Sequence, residues 1–354
     1  MRVAVVGAGP VGLAAAWRCA ARGHEVRVYG DGGDGAWRVA AGMLAPVAEA
    51  YFGERALTAL LVAGAAAWPD FATTLGGADR GAADLLGYRV DGTLMVGWTS
   101  DDLAEVARLR AYQEELGLPV EALRGAGVRA REPLLSPRVR GGAHAPGDHA
   151  VDPRRLVGAL RAAAVAAGAV CDPSRVADLA ALSADAVVVA AGLGVAALTG
   201  LPVRPVKGQV LRLRTPDGGP PGFRHVVRGV VDGRRVYCVP RPDGEVVVGA
   251  TVEERGDDVA TAGAALDLLR AAVDLIPDLA EYALAEVGVG HRAGTPDNGP
   301  ILGRLDARVV VAGGFHRHGV VLAPLAGTAA ADLVDGRAPA AVWAPFTPQR
   351  FGKG

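Results

Sequence analysis

The chain has 354 residues, of which 51% are hydrophobic and 21% charged, and its formal net charge is −1. This composition is typical of a globular protein with a large core in roughly two domains, and it argues against a disordered chain. The arginines form no basic stripe and the three cysteines no paired spacing, so we expect no nucleic-acid partner, disulfide framework or metal site, and a cytoplasmic location.

The first predicted elements form a βαβ unit. Residues 2–6 are short and β-branched, which predicts a buried strand, and residues 11–22 predict a helix that Gly23 ends. Residues 25–29 predict a second strand. The unit has about thirty residues, which is its usual size.

A glycine-rich turn, Gly7-Ala8-Gly9-Pro10-Val11-Gly12, joins the first strand to the helix. Gly7 allows the tight turn, Gly9 lets the backbone approach a pyrophosphate, and Gly12 lets the helix pack against the strand. The helix N-terminus offers N–H groups without intrahelical acceptors to the phosphates. The turn therefore predicts a bound dinucleotide, and by itself it does not distinguish NAD from FAD.

An acidic residue is expected to end the second strand and bind the adenosine ribose. The position in register holds Gly30 instead, and Asp31 comes one residue later. Asp31 either reaches the ribose or is a solvated residue of the turn at residues 30–33.

The remaining elements alternate between helices and strands, and the opening pattern returns near the end. Helices are predicted over residues 56–76, 101–116, 153–168 and 260–275, and strands over residues 88–97 and 185–190 and within 203–214 and 225–252. A strand (308–312), a glycine-rich loop (313–319) and a helix (320–335) follow. A dinucleotide fold that begins at residue 2 and is completed at residue 335 must have its second domain inserted between its parts. None of the apolar runs is expected to span a membrane, because they are short and flanked by arginine.

Four further segments resemble the glycine oxidase branch of the D-amino-acid-oxidase-like flavoenzymes, in the family's order. Residues 40–46 resemble the segment under the flavin ring, and residues 236–241 with 248–251 resemble the substrate-domain strands. Residues 291–297 resemble the carboxylate-binding segment, and residues 312–319 with 322–324 resemble the second flavin-binding loop. Smaller similarities occur at residues 152–156, 205–209 and 348–351.

The resemblance implies an α/β fold in which a Rossmann-like, glutathione-reductase-like FAD-binding domain holds an inserted, β-rich α+β substrate domain. The expected domains are residues 1–80, 149–206 and 290–354 for FAD, and residues 81–148 and 207–289 for substrate. FAD is expected to be noncovalent, because the second flavin-binding loop has no cysteine. The expected reaction converts a glycine-like amino acid to its imine by hydride transfer to flavin N5, with O2 reduced to H2O2. The imine is then hydrolysed or used in thiazole assembly for thiamine biosynthesis.

The resemblance also implies the residues of the site. Arg292 matches the arginine that binds the substrate carboxylate, Tyr237 matches a tyrosine that also reaches it, and Arg317 adds charge near the flavin or reaches the same carboxylate. The expected cofactor-binding residues are Gly7, Gly9, Pro10, Val11, Gly12, Asp31, Ala41, Gly42, Met43, Val176, Ala191, Gly192, Gly314, Arg317, His318, Gly319 and Val320. No general base is assigned, because the cofactor carries the difficult chemistry.

Several positions depart from the family pattern and leave the substrate open. Residues 315–318 are Phe-His-Arg-His where the family tends to have His-Tyr-Arg-Asn, Val252 replaces a methionine of some relatives, Arg235 replaces a histidine, and Ala293 replaces a proline. The alternatives are a same-fold oxidase of a D-amino acid, an N-substituted glycine or another N-linked amino-acid conjugate, an NAD-dependent dehydrogenase, and a flavin-holding protein without turnover. The expected partners are the amine substrate and O2, and a homo-oligomer is left open.

Overall fold

The computed structural model describes residues 1–33, 35–76 and 81–352. The strands are Arg2–Val6 (β1), Glu25–Tyr29 (β2), Met43–Leu44 (β3), Thr93–Gly97 (β4), Glu121–Arg124 (β5), Gly141–Ala145 (β6), His149–Ala150 (β7), Val170–Asp172 (β8), Ala186–Val189 (β9), Arg204–Arg214 (β10), Val226–Val231 (β11), Arg234–Pro240 (β12), Glu245–Gly249 (β13), Ala283–Gly294 (β14), Ile301–Arg304 (β15) and Val309–Gly313 (β16).

The α-helices are Pro10–Ala21 (α1), Arg55–Ala66 (α2), Trp68–Gly76 (α3), Ala82–Leu86 (α4), Ser100–Glu115 (α5), Gly125–Arg131 (α6), Pro153–Ala166 (α7), Gly194–Thr199 (α8), Ala262–Leu275 (α9) and Ala323–Val334 (α10). Short 3-10 helices occupy Ala36–Arg38, Pro277–Glu281, Ala341–Phe346 and Pro348–Phe351.

The first large sheet has six strands in the order β15-β16-β9-β1-β2-β8 and is parallel except for β15. Apart from the exposed Arg2, its central strands β1, β9 and β16 are apolar and buried, as a parallel sheet covered on both faces requires. Helices α1, α7 and α10 pack together on one face. The two ends of the chain therefore meet in one sheet, and the predicted α/β class with a Rossmann-like sheet is confirmed.

The second large sheet has eight strands in the order β14-β10-β13-β12-β11-β4-β6-β5. One face buries a row of side chains in register against α9, namely Leu94, Val227, Cys238, Val248 and Leu211. Because side chains alternate between faces along a strand, the residues next to these point to the opposite face. That opposite face borders the cavity described below.

The predicted domain boundaries stay predictions. The boundary at residue 80 lies outside the described residues. Strands β10 and β14 form one continuous antiparallel pair across the boundaries predicted at residues 206 and 289. The two expected domains therefore share this long ribbon rather than a flexible linker.

The stretch from Arg55 to Gly76 differs from its prediction in two ways. It forms two helices that divide at Ala67 rather than one helix. It has 22 residues and contains an 18-residue window with a mean hydropathy of 1.3, so it is also long and apolar enough for a membrane span by length and composition alone, contrary to the expectation for the chain. Leucine, alanine and valine make it apolar. In the fold, Leu60 and Trp68 are fully buried in the main core, which accounts for this apolar character.

Candidate functional site

A long cavity of about 1860 Å³ is lined by residues of both large sheets. It exceeds the roughly 300–1,000 Å³ of ordinary small-ligand pockets, so it has room for more than one small molecule. Every predicted site residue except Gly12 lines this cavity. Gly12 instead packs beneath the turn, where an added Cβ would overlap the carbonyl oxygen of Gly7.

The glycine turn forms one end of the cavity. Gly7 has a φ of +117°, and a Cβ on it would overlap the carbonyl of Ala190. Above Gly9 the space is open, because a Cβ there would meet nothing nearer than Trp37 Cδ1 at 3.7 Å. Helix α1 has no side-chain cap, so its first amide groups are free to bind an anion. This end therefore fits a pyrophosphate.

Trp37 is a residue of this end that the sequence did not indicate. Its indole Nε1 is buried and has no hydrogen-bond partner among the described residues. A buried donor without an acceptor is unfavourable, which indicates a ligand acceptor close to it. Only the preceding glycine-rich segment at residues 30–35 hinted at a functional loop.

Asp31 lies at the same end of the cavity, with Val176. Its carboxylate accepts a hydrogen bond from the backbone N–H of Gly33 at 2.8 Å, and this bond lowers the pKa of Asp31. The side chain thus forms the local turn that the second interpretation of the sequence expects. Asp31 also lies beside the cavity, so binding of the adenosine ribose by Asp31 remains a prediction.

The segment around Gly42 is fixed against the cavity by close backbone packing. Gly42 has a φ of +77°, and a Cβ on it would overlap the carbonyl oxygen of Val151. The buried guanidinium of Arg241 donates to that same oxygen at 2.7 Å and also to the carbonyl of Ala41. Arg241 therefore holds the strand that presents Met43 to the cavity.

The floor of the cavity is a row of cross-strand neighbours on the second large sheet. The row runs through Met95, Arg228, Tyr237, Gly249 and Val210, and all five line the cavity. Gly249 leaves room in this row for the Tyr237 side chain, since a Cβ there would overlap the Tyr237 hydroxyl. Burial raises the pKa of Tyr237, so its hydroxyl remains a neutral donor.

Arg292 lies on β14 and extends across Gly208 of the adjacent strand. A Cβ on Gly208 would stand 2.5 to 2.8 Å from the guanidinium atoms, so only glycine leaves room for this side chain. Nη1 of Arg292 donates long hydrogen bonds to the carbonyls of Thr251 (3.3 Å) and Lys207 (3.4 Å). Burial lowers the pKa of Arg292, with Tyr237 opposing this and Arg317 adding to it. The remaining donors of the guanidinium fork are available to a ligand carboxylate.

Glu49 and Arg228 form an ion pair beside Tyr237, and neither was among the predicted site residues. Burial alone would raise the pKa of Glu49, but Arg228, with smaller effects of His318 and Arg317, holds it at about 2. Glu49 is therefore ionised. The two residues are 179 positions apart in the chain, and no local pattern links them.

The second glycine-rich loop covers the end of β14. The backbone N–H of His316, whose φ is +48°, donates to the carbonyl of Ala293 at 2.9 Å. Burial is the main cause that lowers the pKa of His316 to about 3 and that of His318 to about 4, so both are neutral near pH 7. Arg317 is exposed to the cavity and has no hydrogen bond or ion pair with any described residue.

A nucleotide-type turn on a Rossmann-like sheet, joined by one cavity to a half-buried arginine and tyrosine, defines a flavin-dependent oxidoreductase that acts on an amino acid. The chain belongs to the FAD dependent oxidoreductase family, whose model matches residues 2–333. FAD is thus the cofactor, and the NAD-dependent alternative is wrong. Bound FAD supplies the two-electron acceptor for the oxidation.

Individual relatives agree with this assignment. The chain is 31% identical to the glycine oxidase of Geobacillus kaustophilus over 98% of this chain and 96% of that protein. A crystal structure of glycine oxidase from the same organism matches with a TM-score of 0.89, covering 99% of both chains. The crystal structure of iminodiacetate oxidase from Chelativorans sp. BNC1 matches with a TM-score of 0.86 at 26% identity, covering 98% of this chain and 99% of that one. The expected family, FAD dependence and amino-acid oxidation are therefore confirmed.

Proposed function

We propose that this protein oxidises the C–N bond of a glycine-like amino acid to an imine, with O2 as electron acceptor and H2O2 as product. The amino acid loses two electrons and two protons, which O2 takes up as peroxide. The proposed site residues are Arg292, Tyr237 and Arg317, and the observation that carries the proposal is the half-buried guanidinium of Arg292, which lies against Gly208 at the edge of the cavity.

The substrate carboxylate pairs with Arg292 in a bidentate manner, and the Tyr237 hydroxyl donates a further hydrogen bond. This contact fixes the amino acid at its carboxylate end and so restricts the orientation of its α-carbon. The substrate must bind with a neutral amine before oxidation. The positive charge of Arg292 and Arg317 disfavours an ammonium group in the cavity, while Glu49 is neutralised by Arg228.

A second candidate substrate is an N-substituted glycine. The likeness to an iminodiacetate oxidase favours it, as does the replacement of the family residues at Phe315 and His316, which line the cavity. Such a substrate keeps the glycine carboxylate for Arg292 and places its additional group elsewhere in the cavity.

The test measures peroxide release and oxygen uptake by the flavin-loaded protein with glycine, sarcosine, D-alanine and iminodiacetate. We expect equal amounts of O2 consumed and peroxide formed with at least one of them. Replacing Arg292 by Ala removes a buried charge partner, for which about 2–5 kcal/mol is typical, so KM rises by at least about 30-fold while flavin stays bound. Arg270→Ala, at an exposed position of α9, is the matched control. Unchanged KM in Arg292→Ala would show that the carboxylate binds elsewhere.

A further inference from the structure

The substrate end of the cavity carries more positive charge than one carboxylate can neutralise. Arg228, Arg292 and Arg317 line it, and Glu49 is an acidic residue that interacts electrostatically with all three. His316 and His318 add no charge near pH 7 because burial keeps both neutral. Glu49 balances Arg228 through their ion pair, so two guanidinium groups remain.

Arg292 is the partner of the substrate carboxylate under the proposed function, which leaves Arg317. Its guanidinium is exposed to the cavity without a hydrogen bond or ion pair to the described part of the chain. A backbone hydrogen bond from the N–H of His316 to the carbonyl of Ala293 joins the second glycine-rich loop to β14. Arg317 directly follows His316 in the chain, and Arg292 directly precedes Ala293. The two arginines are therefore neighbours, and both line the same cavity.

An arginine that loses its water when a substrate enters needs an anionic partner, because a desolvated and unpaired charge is strongly unfavourable. The guanidinium fork matches a carboxylate geometrically. We propose that Arg317 forms a second anion subsite and that the preferred substrates are amino acids with a second carboxylate on a short chain. This inference rests on the proposed function, since it assigns Arg292 to the first carboxylate.

The first experiment measures binding of non-oxidisable acids to the FAD-loaded protein, by calorimetry or by the change in flavin absorption. Succinate and glutarate are compared with propionate and butyrate, which carry a single carboxylate. We expect Kd of the better dicarboxylate to be at least about tenfold lower, because charge-assisted hydrogen bonds to a second arginine add to those of the first. Equal Kd values for mono- and dicarboxylates would overturn the proposal.

Variants of Arg317 then show whether this residue binds a second carboxylate or shares the first carboxylate with Arg292. In Arg317→Gln we expect the dicarboxylate advantage to fall to within about threefold, and in Arg317→Lys part of it to remain, since the charge is kept. If Arg317→Gln weakens mono- and dicarboxylates by the same factor, Arg317 contacts the first carboxylate and the proposal is wrong. Arg270→Gln is the control, because Arg270 is exposed on α9 and is not among the residues that line the cavity. The flavin absorption spectrum of each variant verifies that it is folded.

Turnover provides the readout that distinguishes this inference from the proposed function. We expect kcat/KM for D-aspartate, D-glutamate or iminodiacetate to exceed that for glycine, sarcosine and D-alanine by at least about tenfold. Peroxide release from the monocarboxylic substrates alone would keep the proposed function and refute the second subsite. If no amine gives peroxide, the proposed oxidase function fails, while the binding data still decide whether Arg317 holds a second carboxylate.

Discussion

The Cβ that Gly208 lacks would stand where the guanidinium of Arg292 now lies. In Gly208→Ala this atom would be 2.5 Å from Nη2, 2.6 Å from Nη1 and 2.8 Å from Cζ. Ordinary contact begins near 3.4 Å, so the guanidinium has to move by about 1 Å. Gly208 has no positive φ, and the crowded atoms belong to the end of a flexible side chain, so we expect the backbone to keep its fold.

A displacement of about 1 Å from a productive geometry can cost roughly 10²-fold in rate. We therefore expect kcat/KM of Gly208→Ala to fall by one to two orders of magnitude, with KM affected most because carboxylate binding is what the shift impairs. The assay is peroxide release over a substrate range, with the flavin content measured in parallel. Gly263→Ala on α9 is the matched control, because a Cβ there meets nothing within 4 Å. Normal KM in a flavin-loaded Gly208→Ala protein would refute the role given to Arg292.

Three further predictions concern the cofactor segment and the second loop. Gly42→Ala should be purified with little flavin, measured by absorption, because the new Cβ overlaps the Val151 carbonyl and the φ of +77° disfavours side chains; full flavin content would contradict this. Arg241→Leu should lower stability by about 2–4 kcal/mol in urea unfolding, because two buried carbonyls lose a charged donor; an unchanged midpoint and slope would contradict it. Burial lowers the pKa of His318 from 6.5 to about 4, so protonation of this histidine favours the unfolded chain. The contribution of neutral His318 to the free energy of unfolding is therefore complete above pH 6.5 and is lost as the pH falls toward 4. Between pH 7.5 and 4.5 the loss in the free energy of unfolding is about 2–3 kcal/mol, and it should be absent in His318→Gln. Identical pH profiles of the free energy of unfolding in the unsubstituted protein and in His318→Gln would contradict this prediction.

Local patterns were sufficient to predict the nucleotide-binding half of the fold. Residues 2–6, 11–22 and 25–29 were assigned to within one residue, because a short β-branched strand, a glycine turn and a glycine-ended helix are signals carried by neighbouring residues. Asp152 followed by Pro153 likewise marked the start of α7, where the Asp152 carboxylate accepts from the Arg154 backbone N–H at 2.8 Å.

The floor of the substrate end depends on pairing between distant strands and was only partly predicted. Tyr237 was singled out by resemblance, but the row that brings it beside Arg228 and Gly249 follows from strand register. The ion pair of Glu49 with Arg228 arises only when residues 45–50 fold over this sheet. Two hydrogen bonds from the Val47 and Ala48 amides to the buried carboxylate of Asp148 hold that segment in place.

The measurement that tests the central claim most directly is anaerobic mixing of the FAD-loaded protein with a candidate amino acid, followed by admission of O2. We predict that the flavin absorption near its visible maxima is lost on mixing and returns with O2, with one peroxide formed per flavin in a single cycle. In Arg292→Ala the same loss should require a much higher amino-acid concentration. A flavin that stays oxidised with every glycine-like and dicarboxylic amino acid, in a protein that binds FAD fully, would contradict the account.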